Sequence, residues 1–91
     1  MNVEPTIRMV ELGQGRAPVE VWQAGQGTPL VFLHGAGGLM PDDRFFQALA
    51  RQFHVHAPLL PGYGGSEGED ELKDMLDTTL HTGDVIDALG L

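Results

Sequence analysis

The stretch at residues 29–38, P-L-V-F-L-H-G-A-G-G, constrains the fold more than any other part of the sequence. Its first half is continuously apolar at 30–33, which is typical of a strand that is covered on both faces of a sheet. Its second half is a glycine-rich turn that leads toward a predicted helix. A strand, a glycine turn and a helix in this order bring unpaired backbone N–H groups together, and such groups bind anions. We therefore predict a buried strand followed by an anion-binding loop.

The segments around this stretch predict an α/β fold. Residues 6–12 and 19–24 have the alternating character of strands, and the G-Q-G-R-A-P turn between them favours an antiparallel hairpin. Pro41 and the two aspartates after it indicate the start of a helix. A fourth strand is predicted at 55–60.

The C-terminal part of the sequence is predicted to be helical. From residue 70 onward apolar residues recur at helical spacing, and the pattern fits one helix or two helices that are interrupted at Gly83. The complete order is hairpin, strand, helix, strand and helix, which predicts a mostly parallel sheet with helical crossovers. Because no repeat or linker divides the sequence, residues 1–91 are predicted to belong to one domain.

The charge is concentrated near the C-terminus. The chain carries a formal net charge of −8, and residues 66–91 contain eight acidic residues and one lysine. Such a surface repels phosphate backbones, so nucleic acid is not an expected partner. We interpret the acidic residues as the solvated face of an amphipathic helix. The alternative interpretation is a docking surface for a basic partner, which would make the chain a non-catalytic interaction module.

Few other residues are candidates for metal binding or for catalysis. The sequence has no cysteine, which excludes a thiolate metal site and a cysteine nucleophile. The spacing of His34, His54, His56 and His81 matches neither H-x-x-x-H nor H-E-x-x-H, so we predict no metal and no cofactor, and we interpret His54 and His56 as ordinary strand residues. The sequence shows no secretory signal and no apolar run of about 20 residues. We expect a cytoplasmic protein without a membrane partner.

Three kinds of anion site compete for the glycine turn. A dinucleotide-binding loop needs G-x-G-x-x-G; Gly35 and Gly37 fit its first two glycines, but Met40 stands at the third. A P-loop is excluded because no Lys-Ser or Lys-Thr pair follows. The third kind is an oxyanion loop. A nucleotide-binding module remains the weaker alternative.

A second motif favours the oxyanion loop. Residues 58–66 read P-L-L-P-G-Y-G-G-S, one helix-length after the His-Gly motif. With the two motifs in this order, residues 19–91 resemble the N-terminal half of an α/β-hydrolase domain. The resemblance implies a three-layer αβα fold, incomplete here, with a mostly parallel sheet and an N-terminal antiparallel hairpin. One departure is Leu59, where the family often has Asp.

The resemblance also implies roles for the loop residues. The resemblance implies hydrolysis of an ester, acyl or C–C bond in a small-molecule substrate, with the backbone N–H of Ala36 as a donor to the oxyanion. Gly35, Gly37 and Gly38 would let the loop turn without Cβ atoms against the acyl group. His34 would support the loop by hydrogen bonding, since the catalytic histidine of such families lies near the far C-terminus.

The sequence contains one apparent nucleophile motif. Residues 64–68 spell G-x-S-x-G around Ser66. A nucleophile elbow needs a strand directly before the serine and a helix directly after it, whereas Pro61 and Gly62 precede Ser66 and an acidic, glycine-containing stretch follows. We therefore interpret Ser66 as part of a loop. The nucleophile, acid and base of the resembled family would lie beyond Leu91, and we expect residues 1–91 alone to be inactive. The strand at 30–33 would then be a sheet edge, which predicts pairing with a complementary C-terminal part or self-association.

Overall fold

The computed structural model describes residues 3–13, 15–35, 38–60, 63–66 and 75–90. Within them the chain forms a small α/β unit with a mixed four-stranded sheet and two helices. The elements are β1 (Thr6–Val10), β2 (Val19–Ala24), β3 (Pro29–Val31), α1 (Arg44–Ala50), β4 (His54–Pro58) and α2 (Met75–Leu89). All four predicted strands are therefore present, and every strand end lies within two residues of its predicted boundary.

The strand order in the sheet is β1-β2-β4-β3. The predicted hairpin is confirmed, since β1 and β2 pair antiparallel, and β2 also pairs antiparallel with β4. The parallel pairing in the described sheet is that of β3 with β4, across the α1 crossover. The expectation of a mostly parallel sheet is not met in these strands, because only the β3–α1–β4 segment forms a crossover and the hairpin joins the sheet through β2.

Each face of the sheet carries its own apolar cluster. Because side chains alternate along a strand, Trp22 and Ala24 of β2 lie on one face, and Val19 and Val21 lie on the other. The first face packs against α1 through Phe46 and Ala50 of the helix. The second face packs against α2 through Val85. The two helices therefore cover opposite faces of the sheet.

The structure shows how α1 begins and whether α2 is interrupted at Gly83. Helix α1 begins after Asp43, whose side chain accepts a hydrogen bond of 2.9 Å from the backbone N–H of Phe46. The helix start that the Pro-Asp-Asp sequence predicted is confirmed, and Asp43 is its N-cap. Helix α2 continues through Gly83 without a break in the described part. Of the two alternatives, one continuous helix over 75–89 is confirmed.

Strand β3 is less covered than its apolar sequence predicted. Leu30 and Phe32 pack against the α1-side cluster. Val31 is only half-buried, and Leu33 is 50% exposed. The reason is positional: β3 lies at the end of the described strand order and has a neighbouring strand on one side.

Gly25 is a position where a side chain is expected to destabilise the fold. This glycine directly follows β2 and has φ +85°, and a Cβ atom there would collide with the carbonyl oxygens of Phe53 and Ala50. We expect Gly25→Ala to lower the free energy of unfolding by about 3 kcal/mol or more, since a left-handed backbone alone costs about 1–2 kcal/mol for a residue with a Cβ. Gly13→Ala is the matched control, because Gly13 has φ +79° with open space around it. Urea denaturation of both variants measures the difference, and equal losses would contradict the close approach at Gly25.

Candidate functional site

His34 follows β3 and joins the ends of the two parallel strands. Its ring is buried, with 7% of the residue exposed. The backbone N–H of Leu60, two residues after β4, donates to Nε2 at 3.0 Å. The Nδ1 atom lies 2.7 Å from the carbonyl oxygen of Gly35. Because Nε2 accepts a hydrogen bond from an amide, it carries no proton, and Nδ1–H is the donor to Gly35.

These two hydrogen bonds decide what His34 can do. Both ring nitrogens are occupied by backbone groups of the chain, so neither is left to take a proton from a nucleophile. The contacts instead hold the beginning of the glycine turn against the segment after β4. His34 thus holds the glycine turn in position.

Tyr63 and Gly38 complete this contact. The rings of Tyr63 and His34 meet edge to face with centroids 4.6 Å apart. Gly38 has φ +81°, and a Cβ there would lie 3.1 Å from the Tyr63 ring. The Gly38 N–H donates to the Gly35 carbonyl at 3.0 Å, which closes the turn. Gly38 therefore meets two requirements that favour glycine, the left-handed backbone and the close approach of an aromatic ring.

Two of the predicted loop residues lie outside the part of the chain that the structure describes. These are Ala36, the predicted oxyanion donor, and Gly37. Gly35 is described and exposed, and a Cβ on it would meet nothing within 4 Å. The structure brings His34, Gly35 and Gly38 together at the carboxyl ends of β3 and β4.

Ser66 has a structural contact of its own. The residue is 2% exposed, and its hydroxyl oxygen accepts a hydrogen bond of 2.8 Å from the backbone N–H of Glu20. The Glu20 carboxylate accepts from the Trp22 indole at 2.6 Å and from the Gly65 backbone N–H at 2.9 Å. Glu20 therefore ties β2 to the turn at 63–66. Strand alternation does not predict this role, because it does not show which turn lies beside the Glu20 carboxylate.

A second group of polar side chains lies on the α2 side of β4. His54 and His56 alternate along the strand and share one face, with ring centroids 4.3 Å apart. Nδ1 of His56 lies 3.1 Å from the amide nitrogen of Gln23, its cross-strand neighbour. Nε2 of His56 is buried and has no hydrogen-bond partner within the part of the chain that the structure describes. The H-x-H spacing was the sequence signal for this pair, since period two puts both rings on one side of a strand.

Burial lowers the pKa of His56 below its ordinary value of 6.5, and the charges of His54 and Arg8 lower it further. Below about pH 6.5 the unfolded chain therefore binds a proton at this position that the folded chain does not. Stability from the neutral His56 is fully present above that pH and is lost as the pH falls toward the lower, folded-state pKa.

We therefore expect the free energy of unfolding to fall as the pH is lowered below about 6.5, and the fall to be smaller in His56→Gln. Urea midpoints at several pH values, in the presence of a chelator, measure both slopes. The comparison with His56→Gln separates this histidine from the carboxylates and the other histidines. The same slope in both proteins would contradict the assignment.

Two open clefts among the described residues have linings that do not include His34, Gly35 or Gly38. One of about 510 Å³ lies beside the Arg16–Asp84 ion pair. The other, of about 180 Å³, lies beside Gln47, whose amide bonds the backbone of Val3. No group of three or more histidine or carboxylate side chains suited to a metal ion is found among the described residues.

Comparisons of the chain with protein families, with curated proteins and with solved structures found no match. Among the helices that the structure describes, none has the length and apolar character needed to cross a bilayer.

Proposed function

We propose that this chain is the N-terminal part of an α/β-hydrolase domain and supplies its oxyanion loop. In the complete three-layer domain, the N–H of Ala36 donates to the oxyanion formed when a nucleophile attacks an ester or acyl carbon. His34, Gly35, Gly37 and Gly38 support and shape that loop. The nucleophile, the acid and the base come from sequence beyond Leu91, and the reaction needs no cofactor.

The observation that carries the proposal is the position of His34 between two parallel strands. Its ring bonds Gly35 on one side and Leu60 on the other, so the loops after β3 and β4 are held together. In open α/β sheets, ligands bind outside the carboxyl ends of the strands, which is the end where these loops lie. A loop-supporting histidine is also the role that the resemblance implies.

The strand order gives independent support. In the resembled fold the strand that corresponds to β3 lies between the one that corresponds to β4 and the nucleophile strand. Here β3 pairs with β4 on one side and ends the described order β1-β2-β4-β3. Residues 29–33 carry no charge that would discourage a further strand. We propose that this edge pairs with a complementary C-terminal part of the domain, or with another copy of the chain when that part is missing.

We expect residues 1–91 alone to show no esterase turnover above buffer with an activated ester such as p-nitrophenyl acetate. Ser66, the residue of the G-x-S-x-G match, accepts a hydrogen bond from Glu20 and is buried, so it lacks the exposure that a nucleophile needs. Ser66→Ala is the matched variant. Turnover that disappears in this variant would overturn our interpretation of Ser66 and the assignment of the nucleophile to sequence beyond Leu91.

A second test reads the coding sequence downstream of the Leu91 codon. The proposal expects an open frame that encodes an apolar strand followed by G-x-S-x-G and a helical pattern. A stop codon, with no such segment encoded nearby, would contradict it. This test does not depend on whether residues 1–91 fold alone.

A further inference from the structure

The pair of histidines on β4 has chemistry that the proposed hydrolase function does not use. His54 and His56 lie on the α2 side of the sheet, away from the cluster that packs against α1. With 4.3 Å between their centroids, one nitrogen of each ring can reach a common ion, because metal–imidazole bonds are about 2.0–2.1 Å long. A strand positions two such ligands with little loss of side-chain freedom.

The hydrogen bonding of His56 is compatible with metal ligation. Metal-bound histidines usually use the second ring nitrogen in a hydrogen bond that fixes the ring. Nδ1 of His56 has this partner in Gln23, at 3.1 Å. Since the two ends of an amide are interchangeable in assignment, Gln23 can accept from Nδ1–H through its oxygen, which leaves a lone pair on Nε2. That Nε2 atom is buried and unpartnered within the described residues.

Two further features set the character of the site. His56 is 5% exposed, while its neighbour His54 is half-buried, so of the two rings that of His54 is the more accessible to solvent. Arg8 lies close enough to act on His56 electrostatically, and its positive charge opposes a cation. The site is therefore selective for ions that bind imidazole strongly.

We propose that His54 and His56 form a two-histidine site for a divalent transition-metal ion of the nickel, copper and zinc group, with Gln23 orienting His56. Neutral imidazole is a preferred ligand of these ions, whereas Mg²⁺ and Ca²⁺ take oxygen ligands. Water fills the remaining coordination positions. This site lies on the strand itself and is independent of the loop at His34.

The test is a titration of the purified chain with Zn²⁺, followed by calorimetry and by the histidine ring signals in NMR. We expect saturable one-to-one binding, shifts confined to His54 and His56, and a rise in Tm, because an ion that binds only the folded chain stabilises it. Binding that is equally tight in urea would overturn the proposal, since the unfolded sequence would then be the ligand.

Four variants make the test specific. His54→Gln and His56→Gln are each expected to weaken Zn²⁺ binding at least about tenfold, since loss of a ligand costs no less than loss of its orienting partner. His81→Gln, which removes a histidine from α2, is the matched control and keeps the wild-type affinity. Arg8→Gln, at an exposed position that leaves both rings intact, is expected to tighten binding several-fold. Wild-type affinity in both β4 variants, or no binding by the wild type, would overturn the proposal.

Discussion

Phe46→Ala is expected to remove a large part of the stability of this small unit. Phe46 is 0% exposed, and its ring meets those of Trp22 and Phe32 edge to face, each with centroids 6.4 Å apart. Truncation of a buried Phe to Ala costs about 3–5 kcal/mol. Proteins have about 0.05–0.15 kcal/mol of stability per residue, which is about 5–14 kcal/mol for 91 residues, so the expected loss is a large fraction of the total.

The neighbouring Phe45 provides a matched control for this prediction. It stands on the same helix but is 76% exposed, so Phe45→Ala is expected to change stability by about 0.5 kcal/mol or less. Urea unfolding can be followed by fluorescence of Trp22, the single tryptophan, which contacts Phe46 directly. Similar losses in the two variants would show that α1 does not pack on the sheet through Phe46.

Ala36→Pro is expected to lower kcat by about a hundredfold or more in a complete hydrolase that contains this segment, because proline has no backbone N–H to donate to the oxyanion. Ala36→Ser retains the N–H and is expected to keep most of the activity. This prediction depends on the proposed function and on no observed geometry of Ala36.

The measurement is kcat and KM for the wild type and both variants with one ester substrate. Because proline also restricts the backbone, the folded state of Ala36→Pro is checked by its thermal unfolding and by the ring signals of His34, which bonds the adjacent Gly35. A loss that appears in kcat in a folded protein supports the role of Ala36. A folded proline variant with full kcat would show that another group stabilises the oxyanion.

The local elements could be predicted because their signals lie in neighbouring residues. Alternation marks β2 over the same residues, 19–24, that the structure assigns to it. The Asp43 cap and the apolar spacing after it mark α1, and the short glycine-containing turn at 13–18 marks the hairpin. In each case the interactions that form the element lie within one turn or one strand, so a short sequence pattern contains all the residues involved.

The pairing of strands could not be predicted in the same way. The sequence suggested a mostly parallel sheet, but β2 lies between β1 and β4, so two antiparallel pairings accompany the parallel one. The same arrangement leaves β3 at an edge and Leu33 half exposed, despite an apolar sequence that is typical of a covered strand. The hydrophobicity of a strand indicates which of its residues can be buried, whereas the position of the strand in the sheet determines which elements cover it.

The side-chain contacts depend even more on the tertiary structure. From the sequence alone it follows that a strand ends in a glycine turn beside His34 and that His54 and His56 share a face of another strand. Only the fold decided that His34 meets the N–H of Leu60, 26 positions away, that Ser66 accepts from Glu20, and that Gln23 lies beside His56. These contacts join residues far apart in the chain, and their hydrogen bonds form only after the strands have found their neighbours.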